Sequence, residues 1–271
     1  MLGKLIKHEL IATGRVFMLL YASVIAFAAL TSLAGLLLSP LEVPDFVWVT
    51  LVPLFVLGGF TVLAAVTIMP LVIIAVRFYR SFLGSEGYLM FTLPVTRHEL
   101  LLSRLIVAVV WQTIALIVAV VSVVIALAGW IPTGFWADNM WYLQPIFTEM
   151  LASFDRGGFV LAMTFVSMVL SSFSSALMIY LAMGLGQLAN SHRVLLSFTS
   201  YIGLWVATTI VAAMITFPIT FSFALNDSMS DAQIFQETTV SLVVGNVMTF
   251  VLCIAMYFAT EYLLRKRLNL L

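Results

Sequence analysis

Two His-Glu pairs are the residues in this 271-residue chain best placed to do chemistry, because His-Glu opens the helical signature of zinc proteases. The pairs are His8-Glu9 and His98-Glu99. That signature needs a second histidine four residues after the first, so that both imidazoles reach the metal from one helix face. Ala12 and Leu102 occupy those positions. The sequence therefore predicts no zinc site at either pair.

Hydrolysis of ATP at a P-loop of the chain's own is excluded by the placement of its lysines. A P-loop needs a lysine followed by Ser or Thr after a glycine-rich stretch, and Lys4, Lys7 and Lys266 all lack that context. The single Cys253 allows no intramolecular disulfide, and there is no Cys/His cluster or nucleophile elbow. We therefore predict a chain that is not an enzyme and has no catalytic, metal-binding or cofactor-binding residues of its own.

The elements that position the polar residues are membrane spans. Hydrophobic residues make up 63% of the chain, charged residues 9%, and the mean hydropathy is +1.17. Six apolar segments each exceed the roughly 20 residues that cross about 30 Å of hydrocarbon. We predict an all-α integral membrane protein, a single transmembrane domain over residues 1–271, with spans at about 16–39, 47–76, 105–131, 158–183, 194–225 and 239–260.

The charges between the spans define an orientation. Eleven of the twelve Lys and Arg residues fall on one side of the predicted membrane, and eight of the twelve acids fall on the other. Arg156 is the one basic exception. Because short cytoplasmic loops are enriched in Lys and Arg, both termini are expected in the cytoplasm.

The interiors of the spans are poor in polar groups. No Asp, Glu, Lys, Arg or His lies in the middle of any span, which disfavours an ion-coupled carrier. Gln112, Gln187 and Asn246 are the strongest polar groups there, and each is interpreted as a helix-packing contact. The serine-rich fourth span is interpreted in the same way, with a substrate-binding stripe as the alternative.

Prolines interrupt two of the spans. Pro53 and Pro70 predict a second span that is either kinked within a packed bundle or bent along a pathway. Pro218 leaves open a short re-entrant segment over 217–225 at the outer end of the fifth span. The outer loop, 132–157, and the residues before it carry an interfacial aromatic belt: Trp130, Trp136, Trp141 and Tyr142.

Residues 1–15 form a basic amphipathic helix, which is typical of a segment lying at the headgroups. Glu9 projects from its apolar side, where an unpaired charge is costly. Two outcomes are open: Glu9 pairs with a basic residue of the same chain, or this segment frays into solvent.

The cytoplasmic loop 77–104 is the densest polar signal. Thr96 and Glu99 form a capping box, which predicts a helix that begins at Arg97 and continues into the third span. Before it lies a short apolar segment on the cytoplasmic side, and exposed apolar patches mark protein contacts. The predicted interaction residues are Ser85, Glu86, Gly87, Tyr88, Leu89, Met90, Phe91, Thr92, Leu93 and Pro94.

The run from Glu86 to Val95, followed by the basic helix through Ser103 and Arg104, resembles the cytoplasmic loop of bacterial type 2 ATP-binding-cassette (ABC) exporter permeases. The basic N-terminal elbow helix, the six spans and the cytoplasmic termini resemble that family in layout. The resemblance implies a bacterial plasma (inner) membrane, a second permease subunit of the same or a homologous kind, and separate cytoplasmic ATPase subunits that hold ATP and Mg. The loop would then act as a coupling helix, with half of the translocation path in each permease.

The residues alone leave other functions open. The chain could be a membrane scaffold or sensor subunit that transports nothing, or an ion-independent facilitator or channel. The expected partners on the first interpretation are the ATPase subunits, the second permease and the lipid bilayer, with no nucleic acid. The sequence does not identify substrate-binding residues.

Overall fold

The computed structural model describes residues 2–38, 45–80, 96–129, 154–188, 192–224 and 231–266. Within these ranges the chain is helical and contains no strand. The six helices are α1 Leu2–Leu38, α2 Asp45–Phe78, α3 Arg97–Ala128, α4 Phe154–Gly186, α5 Arg193–Ala224 and α6 Asp231–Lys266. All six are long and apolar enough to cross a membrane, which confirms the predicted class of protein.

The helices are longer than a bilayer requires. Even α3, with 32 residues, is about 48 Å long at 1.5 Å per residue, whereas the hydrocarbon core is about 30 Å thick. Each helix therefore has room to continue beyond the hydrocarbon. Residues 2–15, predicted as an elbow helix, are the beginning of α1, which continues without a break to Leu38.

The prolines of α2 and α5 do not break these helices, which the sequence analysis had left as a possibility. Helix α2 is continuous through Pro53 and Pro70, and Pro70 is fully buried, as expected for a packed helix. Helix α5 is continuous through Pro218 to Ala224. The re-entrant segment is therefore absent over the described residues 217–224.

Many hydroxyl groups within the described spans donate hydrogen bonds to carbonyls of their own helices. Thr61 donates to the carbonyl of Leu57 at 2.7 Å, and Thr249 donates to the carbonyl of Gly245 at 2.8 Å. Such bonds to the preceding turn are the usual accommodation of Ser and Thr in an apolar helix. In α4, Ser171 and Ser172 both donate to the carbonyl of Met168 at 2.9 Å. Much of the serine-rich face is therefore already hydrogen-bonded.

The chain divides into two compact units. Unit 1 comprises Met1–Glu9, Ile73–Val109 and Asp155–Leu271, and unit 2 comprises Leu10–Val72 and Val110–Phe154. In unit 1, residues 176–182 of α4 are all buried, so this part of the helix is covered on every side. Helix α5 packs against α6 but none of its described residues is buried, which leaves most of its apolar surface exposed.

In unit 2, α1 buries one face. Its buried residues recur every three or four positions: Thr13, Phe17, Tyr21, Val24, Ala28, Thr31 and Gly35. The α3 residue Trp111 makes two hydrogen bonds to this face of α1. Its indole donates to Thr13 Oγ1 at 2.8 Å, and its carbonyl accepts from Tyr21 Oη at 2.7 Å. Phe17 stacks on the indole at a centroid distance of 4.8 Å.

Candidate functional site

A carboxylate of α1 joins the ends of two other helices in unit 1. Arg77 Nε donates to Glu9 Oε2 at 2.9 Å, and Arg104 Nη2 lies 3.2 Å from Glu9 Oε1. We call Glu9, Arg77 and Arg104 the Glu9 cluster. The Glu9 side chain is only 16% exposed, so the prediction of a basic partner within the chain is confirmed and the prediction of fraying into solvent is wrong.

The three charges differ in their contact with solvent. The side chain of Arg104 is 7% exposed and that of Arg77 is 35% exposed. A buried guanidinium is stable only with a counter-charge, because its desolvation is costly. Glu9 supplies that counter-charge to Arg104, while Arg77 sits at the edge of the cluster. The burial of Glu9 is thus explained by the two cations it meets.

The two arginines flank the predicted coupling loop. Arg77 is in the last turn of α2 and Arg104 is in the second turn of α3. Residues 81–95 between them lie outside the described residues, and so does the whole predicted interaction segment 85–94. The structure therefore places both stems of the 77–104 loop on one carboxylate.

An aromatic pair packs beside the cluster. Phe78 and Tyr180 stack with centroids 4.1 Å apart and ring planes 14° apart, and both are almost completely buried. Phe78 directly follows Arg77, and Tyr180 is in the fully buried part of α4. Aromatic stacking of this kind adds about 0.5–1.5 kcal/mol beyond burial. The end of α2 is thereby held by α4 as well as by α1.

The start of α3 has the predicted capping box. The amide of Thr96 donates to Glu99 Oε2 at 3.2 Å, and the amide of Glu99 donates to Thr96 Oγ1 at 3.3 Å. The helix begins at Arg97, as predicted. In the first turn of the helix, His98 Nδ1 lies 2.6 Å from the hydroxyl of Tyr257 in α6. The second stem of the loop is therefore fixed both locally and to a neighbouring helix.

Polar groups deeper in unit 1 make helix contacts, as the sequence predicted for Asn246. Its Nδ2 donates to the carbonyl of Met163 at 3.0 Å, and its Oδ1 lies 2.7 Å from Ser167 Oγ, which joins α6 to α4. Cys253 is buried beside the carbonyl of Leu170. Within the described ranges, no three His, Cys, Asp or Glu side chains gather into a possible metal site.

Sequence reasoning missed the burial of Arg104, which it counted only as a loop cation. A signal was present: the residues three and four positions before and after Arg104 are all apolar and buried, namely Leu100, Leu101, Val107 and Ala108. A cation inside such an apolar stripe predicts a buried counter-charge. The predicted aromatic belt cannot be placed, because residues 130–153 lie outside the described ranges.

No protein-family model, curated protein or solved structure matches this chain. The family resemblance of the loop therefore stays a prediction.

Proposed function

We propose that this chain is the membrane-spanning subunit of an ATP-driven ABC exporter in the bacterial plasma membrane. It forms half of a translocation path with a second permease subunit, and separate cytoplasmic ATPase subunits bind ATP and Mg. The chain supplies no chemistry itself. The observation that carries the proposal is the attachment of both stems of the 77–104 loop to Glu9.

The Glu9 cluster gives the loop a mechanical role. A loop that receives force from a partner transmits it only if its ends are rigidly joined to the elements that move. Arg77 and Arg104 join those ends to α1, and the Phe78–Tyr180 stack joins one of them to α4. Closure of the ATPases on ATP would then displace these four helices together and switch access across the membrane.

Tyr88 and Phe91 are the residues proposed to contact the ATPase. They are three positions apart, so they would share one face of the short helix that the sequence predicts. Aromatic residues at interfaces often cost about 2 kcal/mol or more when truncated, which corresponds to about a thirtyfold loss of affinity. We expect the double variant Tyr88→Ala/Phe91→Ala to insert normally and to lose its ATPase.

The measurement is affinity purification of the full chain from its native membrane in mild detergent, followed by mass spectrometry and assay of Mg-ATP hydrolysis. A matched control is Phe258→Ala/Tyr262→Ala, an aromatic pair of α6 whose members are 63% and 52% exposed. If the wild-type chain retains no ATPase, the exporter proposal fails and the scaffold or facilitator interpretations take its place. If the loop variant retains the ATPase like the control, the coupling assignment is wrong.

The proposed orientation predicts a labelling pattern. With Cys253 replaced by Ala, single cysteines at Asp45 and Asp231, where α2 and α6 begin, should react with an impermeant maleimide in intact cells. Cysteines at Ser85 and Ser191 should react only after the cells are opened, because the positive-inside rule places them in the cytoplasm. Labelling of a cysteine at position 85 in intact cells would show that the proposed orientation is wrong.

A further inference from the structure

Helices α1, α2 and α3 line a cavity within unit 2 that is partly open to the surroundings of the helices. Its volume is about 360 Å³, and its walls are mainly large apolar side chains, among them Val24, Phe27, Phe55, Phe60, Leu63 and Leu127. Ligand sites in proteins typically measure about 300–1,000 Å³. The cavity is therefore large enough for a bound molecule or for part of one.

The lining offers no polar group to a ligand. Its two hydroxyls, Thr31 and Ser122, donate to carbonyls of their own helices at 2.9 and 2.8 Å. None of the described residues that line the cavity is charged. A polar ligand would lose its hydration without compensation, and apolar cavities also hold water poorly. The apolar lining therefore favours a hydrocarbon ligand.

The cavity lies deep in the apolar part of each helix. Val24 is nine residues from Arg15, and Phe55 is ten residues from Asp45, which along a helix correspond to about 13 and 15 Å. The hydrocarbon available at that depth is the alkyl chain of a membrane lipid. With the termini in the cytoplasm, the cavity lies around the middle of the bilayer, because Phe55 is about 15 Å from the outer end of α2 and the hydrocarbon core is about 30 Å thick.

We propose that this cavity is a binding site for one alkyl chain of a lipid from the surrounding bilayer. The aromatic rings of Phe27, Phe55 and Phe60 contact the chain, and the headgroup stays outside the site. The site would therefore recognise the alkyl chain of the lipid and not its headgroup. The proposal rests on the position of the chain in a membrane and not on the ATPase partner.

Gly59 allows the site to be filled without disturbing its walls. It lines the cavity, and a Cβ added there meets no other atom within 4 Å. In Gly59→Leu the new side chain occupies space that two or more methylenes of the lipid would fill. Gly203→Leu is the matched control, because a Cβ added at Gly203 of α5 also meets nothing within 4 Å and that residue does not line the cavity.

The experiment uses the full chain alone in nanodiscs that contain increasing fractions of a phosphatidylglycerol with a diazirine near the end of one acyl chain. After photolysis, labelling of the peptides that cover 24–31, 55–63 and 122–127 is measured by mass spectrometry. We expect a component that saturates with the probe fraction in the wild type and in Gly203→Leu. In Gly59→Leu it should fall about tenfold, the loss that corresponds to two unburied methylenes.

Labelling that rises only linearly in the wild type, as at the exposed surface of α5, would overturn the proposal. So would saturable labelling that Gly59→Leu leaves unchanged. If Gly59→Leu fails to insert into the membrane, Ala126→Leu fills the cavity from α3 instead. Whether labelling of the wild type saturates then still tests the proposal. Because no ATPase is present, this result is independent of the coupling experiment.

Discussion

Replacing Glu9 by leucine is expected to destabilise the chain by about 3 kcal/mol, since removal of one partner from a buried ion pair leaves an uncompensated charge. The effect falls chiefly on Arg104, which loses the carboxylate beside its 7% exposed side chain, whereas the 35% exposed Arg77 can turn to solvent. For a chain of this size the melting temperature should fall by roughly 6–12 °C. Cys253, the single cysteine and buried, reports unfolding when it reacts with a fluorogenic maleimide.

A compensating variant separates charge from packing. Replacement of a whole buried ion pair by apolar residues is often neutral, so Glu9→Leu/Arg104→Met should recover most of the loss of Glu9→Leu. Lys4→Gln, at an exposed position of the same helix, is the control and should change the melting temperature little. A Glu9→Leu variant that melts like the wild type would show that the cluster does not hold the loop stems.

Replacing Gly129 by alanine is expected to cost about 2 kcal/mol, within the range for overpacking a well-packed site. Gly129 follows α3, and a Cβ added there would overlap the backbone carbonyl of Ser32 in α1. A backbone atom cannot rotate away as a side-chain tip can. The two helices must therefore separate at this point, and the melting temperature measured through Cys253 should fall.

Gly203→Ala provides the matched control for the same substitution. Its new methyl group meets nothing within 4 Å, and alanine is favoured over glycine inside a helix by about 1 kcal/mol. The control should therefore melt at or above the wild-type temperature. If Gly129→Ala behaves like Gly203→Ala, the close approach of α3 to α1 is not a feature of the folded chain.

On the proposals made above, the Glu9 cluster and the cavity have different tasks. The cluster is built from charges at helix ends beside the 77–104 loop, and it suits the receipt of force from a partner. The cavity is built from apolar side chains in the spans, and it suits a lipid chain.

The elements that depend on local chemistry could be predicted from the order of the residues. Six uncharged stretches predicted six membrane helices, because transfer into hydrocarbon depends on about 20 consecutive residues. Thr96 and Glu99 predicted the start of α3 at Arg97, because a capping box is closed within one turn. Each of these predictions concerns atoms that are neighbours along the chain.

Which helices meet, and what lies between them, depends on tertiary packing and could not be predicted from local patterns. Glu9 and Arg77 are 68 positions apart, and the residues near Glu9 in the sequence do not indicate which arginine it contacts. The cavity beside Gly59 likewise depends on how three distant segments pack. In lipid, an apolar face does not indicate a neighbouring helix, because hydrocarbon tails satisfy it equally well. Pairing of helices therefore follows from shape and from a few polar contacts, which become visible only once the helices are assembled.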